Sequence, residues 1–267
     1  MKILVIGGGN MGLTYARSFL RNHIVTEENM VILEKSLKKA EELKKLEIGT
    51  VYGEPGVYIE GCDLIILAVK PQDIQQLFET ISPFIGGQQV VMSIMAGVKM
   101  STIADGLQVE KIIRAMPNLP AQIGTGMTVF TSSDAVTRIE LVMVQNLLNA
   151  TGKTIYVDEE DAIDAATAIS GSGPAYVFFF MQSLIESAKE MGFSQSQSEL
   201  LTYQTFRGAI DLFNKYDFTC EEWIDKVASR GGTTEAAFKG FNQNDISNRF
   251  KAGVREALNR ARELSLK

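Results

Sequence analysis

The chain has 267 residues, enough for one large domain or two ordinary ones, and its 45% hydrophobic and 22% charged content is that of a soluble globular protein. A net charge of −6 gives no reason to expect nucleic acid or an anionic membrane as a partner, and two cysteines, Cys62 and Cys220, are too few for a disulfide framework and lack metal spacing. The longest apolar run, Ala175 to Met181, is far too short to span a bilayer, and no signal peptide is read ahead of the first strand. No metal site is expected, and a reducing cytoplasm is the expected compartment.

The chain opens on Lys2-Ile3-Leu4-Val5-Ile6, a short apolar, β-branched run that reads as a buried strand. It breaks at once into Gly7-Gly8-Gly9-Asn10-Met11-Gly12, and a helical pattern runs from Met11 to Asn22. This is G-x-G-x-x-G between a strand and a helix, the setting a dinucleotide needs. Gly7 permits the sharp turn, Gly9 lets backbone approach a pyrophosphate, and Gly12 allows close helix–strand contact. The free N–H groups opening the helix then face the phosphates.

His23, the only histidine, follows that helix and reads as a surface residue. A second strand, Met30 to Leu33, ends in Glu34, about 20 residues beyond the glycine loop, where an acidic side chain can bind the adenosine ribose hydroxyls. Lys35 and Ser36 come next, as a cation and a hydroxyl near the same ribose, before a polar helix from Leu37 to Leu46. Asp63 to Val69 is a continuous apolar strand leading into Lys70-Pro71-Gln72, and Pro71 fits the first turn of a helix reaching Ile81. Strand ends of open α/β sheets line the ligand crevice, so Val69, Lys70 and Pro71 are expected near the cofactor.

Gln89 to Met95 and Lys111 to Met116 read as further strands, the second ending in Met116-Pro117-Asn118-Leu119-Pro120, a rigid turn. Thr128 to Phe130 and Thr154 to Val157 are edge-strand candidates around a helix from Asp134 to Ala150. Alternating strands and helices up to residue 157 imply a doubly wound, mostly parallel α/β sheet, a Rossmann domain over 1–157. From 158 to 267 the strand patterns vanish, and an all-helical second domain is expected.

In that half a helix from Glu159 to Ile169 stops at Ser170-Gly171-Ser172-Gly173-Pro174. The next runs to about Met191 and is apolar around much of its circumference: Val177, Phe178, Phe179, Phe180, Met181, Leu184 and Ile185. Two such helices around a shared core would explain it economically, which predicts a homodimer. Thr219-Cys220-Glu221-Glu222 is a capping box. Ser229-Arg230-Gly231-Gly232-Thr233-Thr234 then opens another helix, and converging N–H groups at such a turn suit a carboxylate or a phosphate; a plain interhelical turn with threonine caps is the alternative. A last helix from about Asp245 repeats Ile246, Phe250, Val254, Leu258, Ala261 and Leu264 on one face.

Taken together, Gly-Gly-Gly-Asn-Met-Gly, Ala68-Val69-Lys70-Pro71-Gln72, Met116-Pro117-Asn118, Ser170-Gly171-Ser172-Gly173-Pro174-Ala175-Tyr176 and Ser229-Arg230-Gly231-Gly232-Thr233-Thr234 resemble the pyrroline-5-carboxylate reductase family over essentially the full length. The resemblance implies reduction of 1-pyrroline-5-carboxylate to L-proline with NADH or NADPH, the last step of proline biosynthesis. It also implies a helical domain that dimerises, some members forming rings of dimers. It places Gly7, Gly8, Gly9, Asn10, Met11, Gly12, Ala68, Val69, Lys70, Pro71 and Asn118 at the cofactor. Ser229, Gly231, Gly232, Thr233 and Thr234 fall at the substrate, its carboxylate held by the backbone N–H groups of Gly231, Gly232, Thr233 and Thr234 and its ring nitrogen reached by the Thr234 hydroxyl, the catalytic group. Glu34 departs from the small or basic residue that NADP-preferring relatives tend to carry.

Hydride transfer to a C=N bond needs no side-chain nucleophile and no metal, because the nicotinamide brings the reactive atom. A β-hydroxyacid dehydrogenase would want a general base, and Lys189, the only lysine between Lys153 and Lys215, is far from any glycine-rich turn. A non-catalytic regulator of the same fold would be signalled by loss of Thr233-Thr234 or of a loop glycine, and all are present.

Overall fold

The computed structural model describes residues 1–265. Eight strands form one sheet: β1 (Ile3–Ile6), β2 (Met30–Leu33), β3 (Thr50–Tyr52), β4 (Leu64–Leu67), β5 (Val90–Ser93), β6 (Ile112–Met116), β7 (Gly126–Ser132) and β8 (Gly152–Tyr156). Their order is β3-β2-β1-β4-β5-β6-β7-β8. Only β6 and β7 pair antiparallel. The first six strands thus carry the dinucleotide-fold order, reversing direction between β1 and β4, where such sheets bind ligands.

The helices of this part are α1 (Asn10–Arg21), α2 (Leu37–Lys44), α3 (Ile74–Ile81), α4 (Met100–Leu107), α5 (Arg138–Asn149) and α6 (Asp161–Ala166). Alternation along β1 shows why both sheet faces are covered. Ile3 and Val5 join Tyr15, Phe19 and Leu147 in one apolar cluster, while Leu4 and Ile6 join Phe78 and Ile103 in another. Strands buried on both faces read as continuous apolar runs, as β1, β2 and β4 do. β3 and α4 carry no signal that the sequence reading took up.

The second half is helical: α7 (Gly173–Glu190), α8 (Gln195–Lys215), α9 (Cys220–Val227), α10 (Thr233–Gln243) and α11 (Ile246–Ser265). The expected capping box opens α9, with Glu222 accepting from the Thr219 N–H at 2.7 Å. Burial pushes the Cys62 thiol up, which keeps it protonated and unreactive; Cys220 is exposed at the first position of α9.

By contacts the chain divides into one unit of 1–172 with the chain from Ala257 onward, and another of Gly173–Glu256. This division falls later than the one expected after residue 157, because α6 belongs with the sheet. Arg114 on β6 is fully buried and pairs with Glu160 at 3.0 Å and Asp164 at 2.6 Å, and the Ser265 hydroxyl donates to the same Asp164 at 3.0 Å. The second unit buries no apolar side chain; between 173 and 256 only Ser198 and Thr202 are buried.

Candidate active site

The glycine loop is shaped by two steric demands and one open space. Gly7 has φ +103°, and a Cβ there would sit 2.7 Å from the Ala68 carbonyl oxygen. A Cβ on Gly12 would run into the carbonyl oxygen of Gly7 and crowd Val5, so helix and strand could not close up. Around Gly9, by contrast, a Cβ would meet nothing within 4 Å. The open space at this glycine is what a ligand needs for close approach. Gly9 is also the N-cap of α1, with no side-chain cap and no acidic residue in the first turn. The N–H groups of Asn10, Met11 and Gly12 are therefore presented at the positive end of a helix, which fits a pyrophosphate.

Glu34 follows β2 and is only 7% exposed. One carboxylate oxygen accepts the Gly8 N–H at 3.0 Å and the other accepts the Ser36 N–H at 2.9 Å. A buried negative charge thus sits beside the loop, held by two backbone donors. The expected helpers around it are already employed. Lys35 pairs with Asp73 at 2.8 Å, and the Ser36 hydroxyl caps α2 by accepting the Lys39 N–H. Ala68 leaves the sheet beside the loop, its N–H bonded to the Ile6 carbonyl at 2.9 Å. Val69 is half-buried, Lys70 is exposed, and Pro71 opens a short 3-10 turn, Pro71–Asp73, ahead of α3.

Asn118, expected at the cofactor, has its side chain engaged within the protein. Its side-chain amide donates to the Ser170 carbonyl at 3.0 Å and its oxygen accepts the Met127 N–H at 2.8 Å. The side chain acts as a strut between the start of β7 and the π-helical turn Thr167–Gly171. Sequence reasoning missed Arg114 and Asp73. An arginine inside the apolar run of β6, with acidic residues to follow, was the available signal for the first.

In the second unit the Ser229-Arg230-Gly231-Gly232 turn is closed by the Gly232 N–H on the Ser229 carbonyl at 2.9 Å, with Gly231 at φ +73°. A positive φ at the third position is what a type II turn demands, and only glycine adopts it freely. A Cβ on Gly232 would lie 2.6 Å from the Ser229 hydroxyl. α10 then opens with Gly232 as its N-cap and no side-chain cap. The threonines stand at the first two helical positions and do not cap.

Of the four backbone N–H groups expected to hold a carboxylate, two are spent inside the protein: that of Gly232 on Ser229, and that of Gly231 on the Glu235 carboxylate at 2.6 Å. Those of Thr233 and Thr234 remain presented, and among the described residues neither threonine hydroxyl has a hydrogen-bond partner. An open groove of about 760 Å³ beside the turn is lined by Gly231, Gly232, Glu235, Phe238, Lys239 and Asn242, among others.

Two family models match: NADP oxidoreductase, coenzyme F420-dependent, over residues 2–97, and pyrroline-5-carboxylate reductase dimerisation over 160–264. A pyrroline-5-carboxylate reductase of Aquifex aeolicus is 31% identical over 271 residues, covering 100% of this chain and 97% of its own length. The chain belongs to the pyrroline-5-carboxylate reductase family. A solved family structure from Coxiella burnetii is 31% identical with a TM-score of 0.89, covering 99% of this chain and 98% of its own. One from Plasmodium falciparum, with NADP bound, is 26% identical with a TM-score of 0.90 and the same coverage. The glycine loop lies inside the first matched segment and the Gly-Gly-Thr-Thr turn inside the dimerisation segment of this family.

Proposed function

We infer that this protein reduces 1-pyrroline-5-carboxylate to L-proline with NADH or NADPH. Full-length membership of the reductase family carries the reading, and the two uncapped helix starts supply the chemistry that it needs. The bound nicotinamide supplies the hydride, so the chain's work is to bind, orient and exclude water. The N–H groups of Asn10, Met11 and Gly12 hold the pyrophosphate, with Gly7, Gly8 and Gly9 shaping the loop around it. Glu34, with Lys35 and Ser36 around it, faces the adenosine ribose, and Ala68, Val69, Lys70 and Pro71 border the cofactor at the strand end. Asn118 supports this edge through its strut.

In the second unit the Thr233 and Thr234 N–H groups bind the substrate carboxylate, with Ser229, Gly231 and Gly232 shaping the turn. The Thr234 hydroxyl holds the ring nitrogen by one hydrogen bond; the protonated imine is already electrophilic and needs no stronger catalyst. The functional division we propose is a cofactor domain over 1–157 and a substrate and dimerisation domain over 158–267.

The protein forms a dimer, and α7 is the element proposed to interlock, because a unit without buried apolar side chains needs a second copy to make a core. A mass of two chains by light scattering supports the dimer alone, and a multiple of it a ring of dimers. The two free cysteines suit a reducing cytoplasm, where we place the enzyme. The activity is tested by incubating the protein with pyrroline-5-carboxylate and following loss of reduced nicotinamide; no turnover with either cofactor overturns the reading.

A further inference from the structure

We propose that Glu235 is a positioning residue for the reaction, clamping the Gly-Gly-Thr-Thr turn so that Thr233 and Thr234 face the substrate. The proposal rests on the reading of that turn as the carboxylate site. The turn contains two adjacent glycines, the residues with the most backbone freedom to lose, and one of them sits at φ +73°. Something must hold it. The Ser229–Gly232 backbone bond is one tie, and among the described residues the Glu235 carboxylate is the only side chain that bonds the backbone between Ser229 and Thr234.

The form of this bond is unusual in a way that the sequence explains. Glu235 is the third residue of α10, where a glutamate ordinarily reaches back to the N–H of the N-cap. Here the N-cap is Gly232, whose N–H is already given to Ser229. The carboxylate therefore reaches one residue further, to Gly231 at 2.6 Å. The loop it closes contains Gly232, Thr233 and Thr234, and the two threonines carry the donors and hydroxyls that are open. Binding the spare N–H of Gly231 also leaves a substrate carboxylate one place to dock, on Thr233 and Thr234, instead of a sliding choice along the turn. The clamp depends on the length of the side chain and on an acceptor oxygen at its end. Charge is not required.

Three substitutions separate these demands. Glu235→Gln keeps the length and an acceptor oxygen without the charge, Glu235→Asp keeps the charge but is too short, and Glu235→Ala keeps neither. Steady-state kinetics with pyrroline-5-carboxylate should show aspartate and alanine raising the substrate KM by about tenfold and lowering kcat, with KM for the nicotinamide cofactor unchanged. Glutamine should behave as the unmodified enzyme. Thermal midpoints are measured alongside; should the alanine variant fail to fold, the glutamine and aspartate pair decides. Aspartate matching the unmodified enzyme, or glutamine matching alanine, overturns the proposal. An unmodified protein that does not turn over the imine overturns the underlying reading instead.

Discussion

Replacing Glu34 with serine is expected to move cofactor choice toward NADPH by about tenfold or more in the ratio of kcat/KM values, about 1.4 kcal/mol. In the unmodified chain both cofactors should work, with NADH used at least as well as NADPH. The carboxylate is 7% exposed and fixed by the Gly8 and Ser36 N–H groups, so it cannot swing away from a phosphate placed beside it. Two unit charges about 4 Å apart repel by ~1 kcal/mol in bulk water and ~4 kcal/mol at the effective dielectric of a protein surface. A 2′-phosphate carries more than one charge at neutral pH. Against this stand Lys38 and Lys39, exposed and flexible, whose compensation fades with salt. Lys35 is held by Asp73 and contributes little. With that larger charge the repulsion runs from about 1.5–2 kcal/mol upward, and a partial offset still leaves close to a tenfold bias. Serine would remove the charge and free two backbone donors for the phosphate. The assay is kcat/KM for each cofactor at low and moderate salt. Strong NADPH preference in the unmodified protein at moderate salt, or an unchanged ratio in the serine variant, would show that Glu34 points away from the ribose.

Thr234→Ala should lower kcat by about 10²-fold while leaving cofactor affinity, measured by fluorescence titration, unchanged; an unaltered kcat removes Thr234 from the mechanism. Phe179→Asp, at a side chain 65% exposed in the single chain, should give aggregated or unfolded protein, and light scattering of the unmodified chain should show no stable monomer. Arg114→Met leaves Asp164 buried without its cation and should cost about 3–5 kcal/mol in chemical denaturation. A loss below about 1 kcal/mol there would mean that solvent reaches the cluster.

Much of the first half was legible because its central strands are buried on both faces and so read as apolar runs, several of them ending at a glycine or proline. β3 escaped because three residues, two of them exposed, make no pattern. α4 escaped for a packing reason: a Cβ on Gly106 would clash with the Phe78 ring, so the residue that lets α4 pack is also one that weakens its helical signal. The candidate site was legible as a set of glycines and threonines. Which of their N–H groups remain open was not, since that depends on Glu34 and Glu235 reaching back to Gly8 and Gly231. The division expected at 157 followed the change from strand to helix. Compactness follows the buried ion pairs of Arg114 instead, which keep α6 with the sheet.

α11 starts in the second unit and ends in the first, where Ser265 reaches Asp164 and Leu264 covers Gly97. Time enters here. Ser265 follows Asp164 by 101 positions, which take roughly 5–20 s to synthesise at about 5–20 residues per second. Through that interval the nascent sheet unit has Gly97 uncovered and Asp164 short of a donor, while the apolar face of α7 emerges with no second copy to meet. The half of the protein made first is thus among the last to be finished, and the newborn chain is at its stickiest while it waits.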